Sequence, residues 1–132
     1  MLVTLLLSGL AILITWTVFD ILMHRLILRP LYERDTHLWR SFDHLNVALI
    51  YLVTFSLIAT FVLAYWLLIR PKSLAAGAGF GALLGLALGM AAGLGTYIHM
   101  PIPRALAIGW LLGGWLKGIA AGLILGALIH EL

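Results

Sequence analysis

The chain contains no cysteine. That absence excludes disulfides, thiolate metal sites, thiol catalysis and lipid attachment through a cysteine. Charge is nearly as scarce. Of 132 residues, 10% are charged and 64% are hydrophobic, and the mean hydropathy is +1.14. A water-soluble domain carries about 25% charged residues, so polar side chains here are too few to cover a soluble core. No Ser-His-Asp order, paired carboxylates or phosphate loop occurs. The GxG patterns at Gly77-Ala78-Gly79 and Gly93-Leu94-Gly95 follow no strand and are not dinucleotide fingerprints. No catalysis is expected. The net charge of +3 is not gathered into a basic run with interleaved aromatics, so nucleic acid is not an expected partner.

What the chain has instead is four long apolar runs. A bilayer core of about 30 Å needs about 20 helical residues. Residues 2–28, 47–69, 74–98 and 105–129 meet that length. Met1 to Ile14 lacks a leading Lys or Arg and a small-residue cleavage site, so it is expected to stay as part of the first span. Arg29-Pro30, Arg70-Pro71 and Met100-Pro101 punctuate the runs. The expected fold is all-α: one transmembrane domain over residues 1–132, a four-helix bundle of two antiparallel hairpins.

Only the connection over residues 29–46 is long. Leu38, Phe42 and Leu45 in it share a helical face, and Asp35 or Thr36 suits an N-cap. It reads as an amphipathic helix at headgroup level, with Tyr32 and Trp39 as interfacial anchors, or as a docking surface for a partner. Arg25, Arg29, Arg34, Arg40 and Arg104 fall on its side of the membrane, against Arg70 and Lys72 on the other. The positive-inside rule then places the loop in the cytoplasm and both termini outside, in a bacterial inner membrane. The two halves look like diverged copies, with Phe19 to Arg25 laid over Thr96 to Ile102.

Glycine is concentrated in the second half. Gly77, Gly81, Gly85, Gly89 and Gly93 step by four, as do Gly114, Gly118, Gly122 and Gly126. That step keeps each set on one helical face. In lipid such an edge admits a second backbone, so glycine-zipper packing of the third and fourth helices is expected, with pore lining as the alternative.

Ionisable residues inside the spans are the candidate sites. Lys117 lies about 18 Å from either end of its helix at 1.5 Å per residue, and a lysine that deep marks a pathway, a pairing or a ligand. Asp20 is its natural counter-ion, and Trp110 stands on the lysine's face for a cation–π contact. The pair either fixes helix register or lies on a proton or ion path. His24, His44 and His99 end or begin spans at one level, an arrangement open to a divalent metal or bis-His haem, although no cofactor is the primary expectation. Thr54 and Tyr51, with Thr96 and Tyr97, are candidates for bonds across helices.

Gly93-Leu94-Gly95-Thr96-Tyr97, Pro103, Gly109-Trp110 and Gly118-Ile119-Ala120-Ala121-Gly122 resemble segments of uncharacterised bacterial four-span membrane proteins. Those proteins pair two similar hairpins and finish on a glycine-rich span. The resemblance implies the fold and no activity. The expected function is a self-associating or accessory scaffold subunit of a larger membrane complex or homo-oligomer, in contact with the lipid bilayer. The alternatives are a small oligomeric channel or transporter using Lys117 and Asp20, and metal or haem binding at the histidines.

Overall fold

Uninterrupted apolar sequence between proline-marked breaks yields uninterrupted helix. The computed structural model describes residues 1–40 and 42–131, without the side chain of Phe42. Four helices are long and apolar enough to cross a membrane: α1 (Leu2–Ile27), α3 (Val47–Leu68), α4 (Leu74–His99) and α5 (Arg104–Leu128). A short helix, α2 (Arg29–Arg34), follows α1 with its proline in the first turn, where no N–H is needed. No strand occurs among the described residues.

Local signals account for the helix starts. The Asn46 side chain accepts a hydrogen bond from Leu49 N at 3.0 Å and opens α3. Ser73 does the same for α4, accepting from Ala76 N at 2.9 Å. Pro103 precedes α5 in an extended conformation. Two stretches depart from α geometry: Ile21–Ile27 in α1 and Ala91–Gly95 in α4 are wound as π-helix. Each lies toward the C-terminal end of its helix.

The most extensive helix–helix contact is between α4 and α5. A Cβ on Gly77 or Gly81 would run into the carbonyl oxygen of Gly122 or Gly118 respectively. One on Gly85 would lie 2.8 Å from Gly118 Cα, and one on Gly114 would lie 2.9 Å from Gly89 Cα. Gly93 meets Ala107 and Leu111, and Gly126 meets Ser73 and Leu74. Numbers rise along α4 as they fall along α5. The glycine edge of α4 therefore faces the α5 backbone. Backbone dispersion and Cα–H···O contacts hold such a pair.

Side chains fill the rest of the interior. Ile12 and Trp16 of α1, Ile58, Phe61, Val62 and Tyr65 of α3, and Ala121 and Leu125 of α5 form one buried cluster. Trp16 meets Phe61 edge-on at 5.3 Å, and the Tyr65 hydroxyl donates to Ser73 O at 3.1 Å. A second cluster at the loop end joins Leu28, Ile102, Leu106 and Ala107. Elsewhere, large apolar side chains of α1 and α3 such as Leu6, Leu10, Val18, Leu52 and Phe55 are exposed, consistent with contact with lipid.

Two expectations need correction. Residues 29–46 do not form an amphipathic helix. After α2 the chain makes separate short 3₁₀ turns at Thr36–Leu38 and Phe42–His44, and Asp35, at the N-cap of the first, makes no side-chain cap bond. The Phe42 side chain invoked for that face lies outside the described residues. Thr54 also makes no cross-helix bond through its hydroxyl, which donates to Ile50 O of its own helix at 2.8 Å, while Tyr51 stacks on Phe55. A helical threonine has its own i−4 carbonyl within reach at all times.

Candidate functional site

Asp20 projects from α1 one residue before its π turn, and Lys117 projects from the middle of α5. Lys117 Nζ donates to both carboxylate oxygens of Asp20, at 2.8 and 3.1 Å. The geometry is that of a charge-assisted pair, stronger than a neutral hydrogen bond. The ammonium also lies over the Trp16 ring, 4.9 Å from its centroid. Trp110, expected in that role, points elsewhere. The Trp16 indole N–H donates to Lys117 O at 2.9 Å, so one side chain grips both the backbone and the charge of the lysine. Trp16 was not singled out in the sequence. Its only signal there is position, four residues before Asp20 and therefore on the same helical face.

The pair borders a cavity of about 360 Å³ between α1, α4 and α5. Phe19, Met23 and Trp110 give it apolar walls, and Thr96 of α4 adds a hydroxyl. Residues from both π segments, Met23 and His24 of α1 and Ala92 of α4, line it. A π turn inserts one residue per turn and re-aims the side chains after it, which is why such turns recur at functional sites.

His24 continues the polar chain toward the loop. Its Nε2 is 3.9 Å from Asp20 Oδ1, and its Nδ1 is 2.6 Å from the Tyr32 hydroxyl. Trp110 Nε1 donates to the same hydroxyl at 2.7 Å. Tryptophan can only donate, so the Tyr32 oxygen accepts from it. When the phenol proton is given to His24 Nδ1, the neutral imidazole carries its own proton on Nε2, on the side of Asp20. Burial pushes the Tyr32 phenol above its ordinary pKa of 10.0, against the opposing pull of the Trp110 hydrogen bond. Tyr32 and Trp39, expected as interfacial anchors, pack edge-on to each other at 5.3 Å, with Trp39 also 5.7 Å from Trp110. The loop is thereby stapled to α5.

The histidine cluster does not form. Among the described residues no three His, Asp or Glu side chains gather into a group able to hold a metal ion. His24 lies against Tyr32 and Asp20. Helix ends at one depth still differ in rotation and lateral position, and neither is visible in spacing alone. A second cavity of about 510 Å³ opens on the loop side of His24, lined by Arg25, Arg29, Tyr32 and Glu33. Arg29 Nε donates to Glu33 Oε1 at 2.7 Å.

Compared with protein-family models, with curated proteins and with solved structures, the chain finds no match in any of the three.

Proposed function

We propose that this protein is a small integral membrane protein with no catalysis of its own, acting as a self-associating or accessory subunit of a membrane assembly. In this reading α1–α3 and α4–α5 are two antiparallel hairpins. A glycine zipper makes the second rigid, and the first presents bulk to lipid or to a neighbouring subunit. Both termini are non-cytoplasmic, the loop is cytoplasmic, and the membrane is a bacterial inner membrane, following the arginine asymmetry. One observation carries the reading. The outer faces of α1 and α3 meet at an apolar groove of about 400 Å³ lined by Leu6, Gly9, Leu13, Phe55, Ile58 and Val62. Gly9 at its floor has only Ile58 within reach, at 3.6 Å from where a Cβ would stand. Small residues at such a floor let another helix approach closely.

The test is the mass of the protein purified in mild detergent, with an absorption spectrum taken on the same sample. An oligomer or a fixed complex is expected, converted to single 14.4 kDa chains by Gly9→Leu without loss of helix content. A chain that is monomeric and partner-free before the substitution would remove this reading.

A second reading, an oligomeric channel or transporter, is favoured by the Asp20–Lys117 pair beside a cavity. Ionisable groups at such depth are functional by default. Charge movement in liposomes that disappears in Lys117→Met is its expected signature.

A further inference from the structure

The two loop-side cavities share one wall, His24. On one side of it stand Asp20 and Lys117, and on the other stand Arg25, Arg29, Tyr32 and Glu33. Behind Lys117 the way is filled. Trp16 covers the ammonium, and Ile12, Phe61, Tyr65, Ala121 and Leu125 are buried together beyond it. Among the described residues the polar side chains therefore lead from Lys117 toward the loop end and not past the buried cluster.

Resting on the transport reading of the Asp20–Lys117 site, we propose that the species it admits is the proton, which reaches Asp20 from the loop side alone, through Tyr32 and His24. The chemistry of the site selects against larger ions. A metal cation would have to displace the ammonium with a single carboxylate as its charged ligand, and no three-ligand group exists among the described residues. An anion would have to share the space with the Asp20 carboxylate. A proton needs one oxygen lone pair and a chain of exchangeable hydrogens. Tyr32 OH, His24 Nδ1 and His24 Nε2 supply that chain, with 2.6 Å at the first junction and 3.9 Å at the second. The longer gap is closed by rotation of the imidazole or by one bridging water.

The transfer balances without a co-reactant. A hydronium ion reaching the outer cavity gives a proton to the phenol oxygen and leaves as water, as the phenol proton passes to Nδ1. The imidazolium then gives its Nε2 proton to Asp20 Oδ1. The net change is one proton moved from hydronium to the carboxylate. Tyr32 and His24 end neutral, with the ring proton now on Nδ1, and loss of that proton to water with uptake of another at Nε2 restores the starting tautomer. Lys117 loses its counter-ion and keeps the face of Trp16. The titratable groups that face Asp20 are Lys117 from α5 and His24 from α1, with Tyr32 of α2 behind the histidine. From α4 the cavity receives the neutral Thr96.

Trp16 is the built-in reporter, because its indole faces the charge that protonation would leave unpaired. Intrinsic fluorescence of the protein in nanodiscs, titrated with acid, should show a transition that is lost in Asp20→Asn and in Trp16→Phe. In stopped-flow acid jumps, His24→Gln should reach the same endpoint about 100-fold more slowly, the lower end of the scale for a lost proton-transfer group. An endpoint reached equally fast would overturn the route. Asp20→Asn leaves Lys117 unpaired and can fail to fold, so a second measurement uses the intact pair. The native chain has no cysteine, so Ala92→Cys, in the inner cavity, carries the sole thiol. A charged, membrane-impermeant thiol reagent should modify it in vesicles from the loop side and leave Ala121→Cys untouched from either side. Modification of Ala92→Cys from the far side, or from neither, would overturn one-sided access. Vesicles that pass no current but retain the Asp20-dependent transition support the proton site and remove the transport reading. Current without that transition overturns the proton site and leaves the transport reading standing.

Discussion

Helix α5 uses glycine in two ways, on two faces. Toward α4, Gly114, Gly118 and Gly122 lie against backbone: a Cβ on Gly118 would stand 2.6 Å from Gly81 O. Toward α1, Gly109 and Gly113 lie against the ends of side chains, where a Cβ would stand 2.8 Å from Leu28 Cδ2 and 3.1 Å from Met23 Cε. The first arrangement is a seam with nothing free to move. The second is a set of sockets whose occupants can rotate, and the polar cavity opens beside it. One helix therefore holds a rigid contact and an adaptable one, and the residue type alone does not tell them apart.

The comparison can be broken most forcefully at the seam. Gly118→Ala should separate α4 from α5 and cost about 3 kcal/mol, at the upper end for overpacking, with Gly118→Leu and Gly85→Leu worse. Unfolding midpoints in graded detergent mixtures would show this, and unchanged midpoints would mean that the seam gives way. Next comes the ion pair across the adaptable face. Lys117→Met alone should cost about 2 kcal/mol more than Lys117→Met combined with Asp20→Leu, because the single change strands a carboxylate in lipid. A double-mutant cycle without coupling would deny any energetic link between the two.

How much of this could be read from the residues depends on what each signal encodes. A step of four fixes a helical face, and a Cβ on Gly77, Gly81 or Gly85 of α4 would meet the α5 backbone. An intramembrane lysine requires a partner, and the carboxylate at a comparable depth is the one within 2.8 Å. Rotation about the α1 axis is not written in spacing. Hence the cation–π partner is Trp16 rather than Trp110, and His44 and His99 do not gather around His24. The π turns carry no composition signal, since Ile21–Ile27 and Ala91–Gly95 look like any apolar helix. The Tyr32–His24 bond needs the loop to fold back against α1 and α5, which the amphipathic reading of residues 29–46 placed flat on the membrane.

Smaller effects sharpen the contrast. Tyr32→Phe removes the hydroxyl shared by His24 and Trp110 and should cost about 1 kcal/mol. It should also change the alkaline limb of stability. Because burial raises the Tyr32 pKa in the folded chain, the neutral phenol's contribution is complete below the unfolded value near 10.0 and is lost as pH rises through the folded value. The variant should show a shallower decline above that pH, and an identical decline would assign the effect to other groups. Smallest of all, Gly113→Ala should cost less than about 0.5 kcal/mol once Met23 turns aside. Gly79→Ala, with nothing within 4 Å of the new methyl, should gain up to about 1 kcal/mol from helix propensity. A large loss at either position would erase the distinction between seam and socket.

Asp20 and Lys117 are separated by 97 positions along the chain. A ribosome adding about 5–20 residues per second takes about 5–20 s to cover that distance. Throughout that interval the first span is already made while its lysine is not. Until the last helix is made, the newborn carboxylate is without the partner it holds in the folded chain. Arrival of the last helix is then the event that lets the first one settle to its final depth.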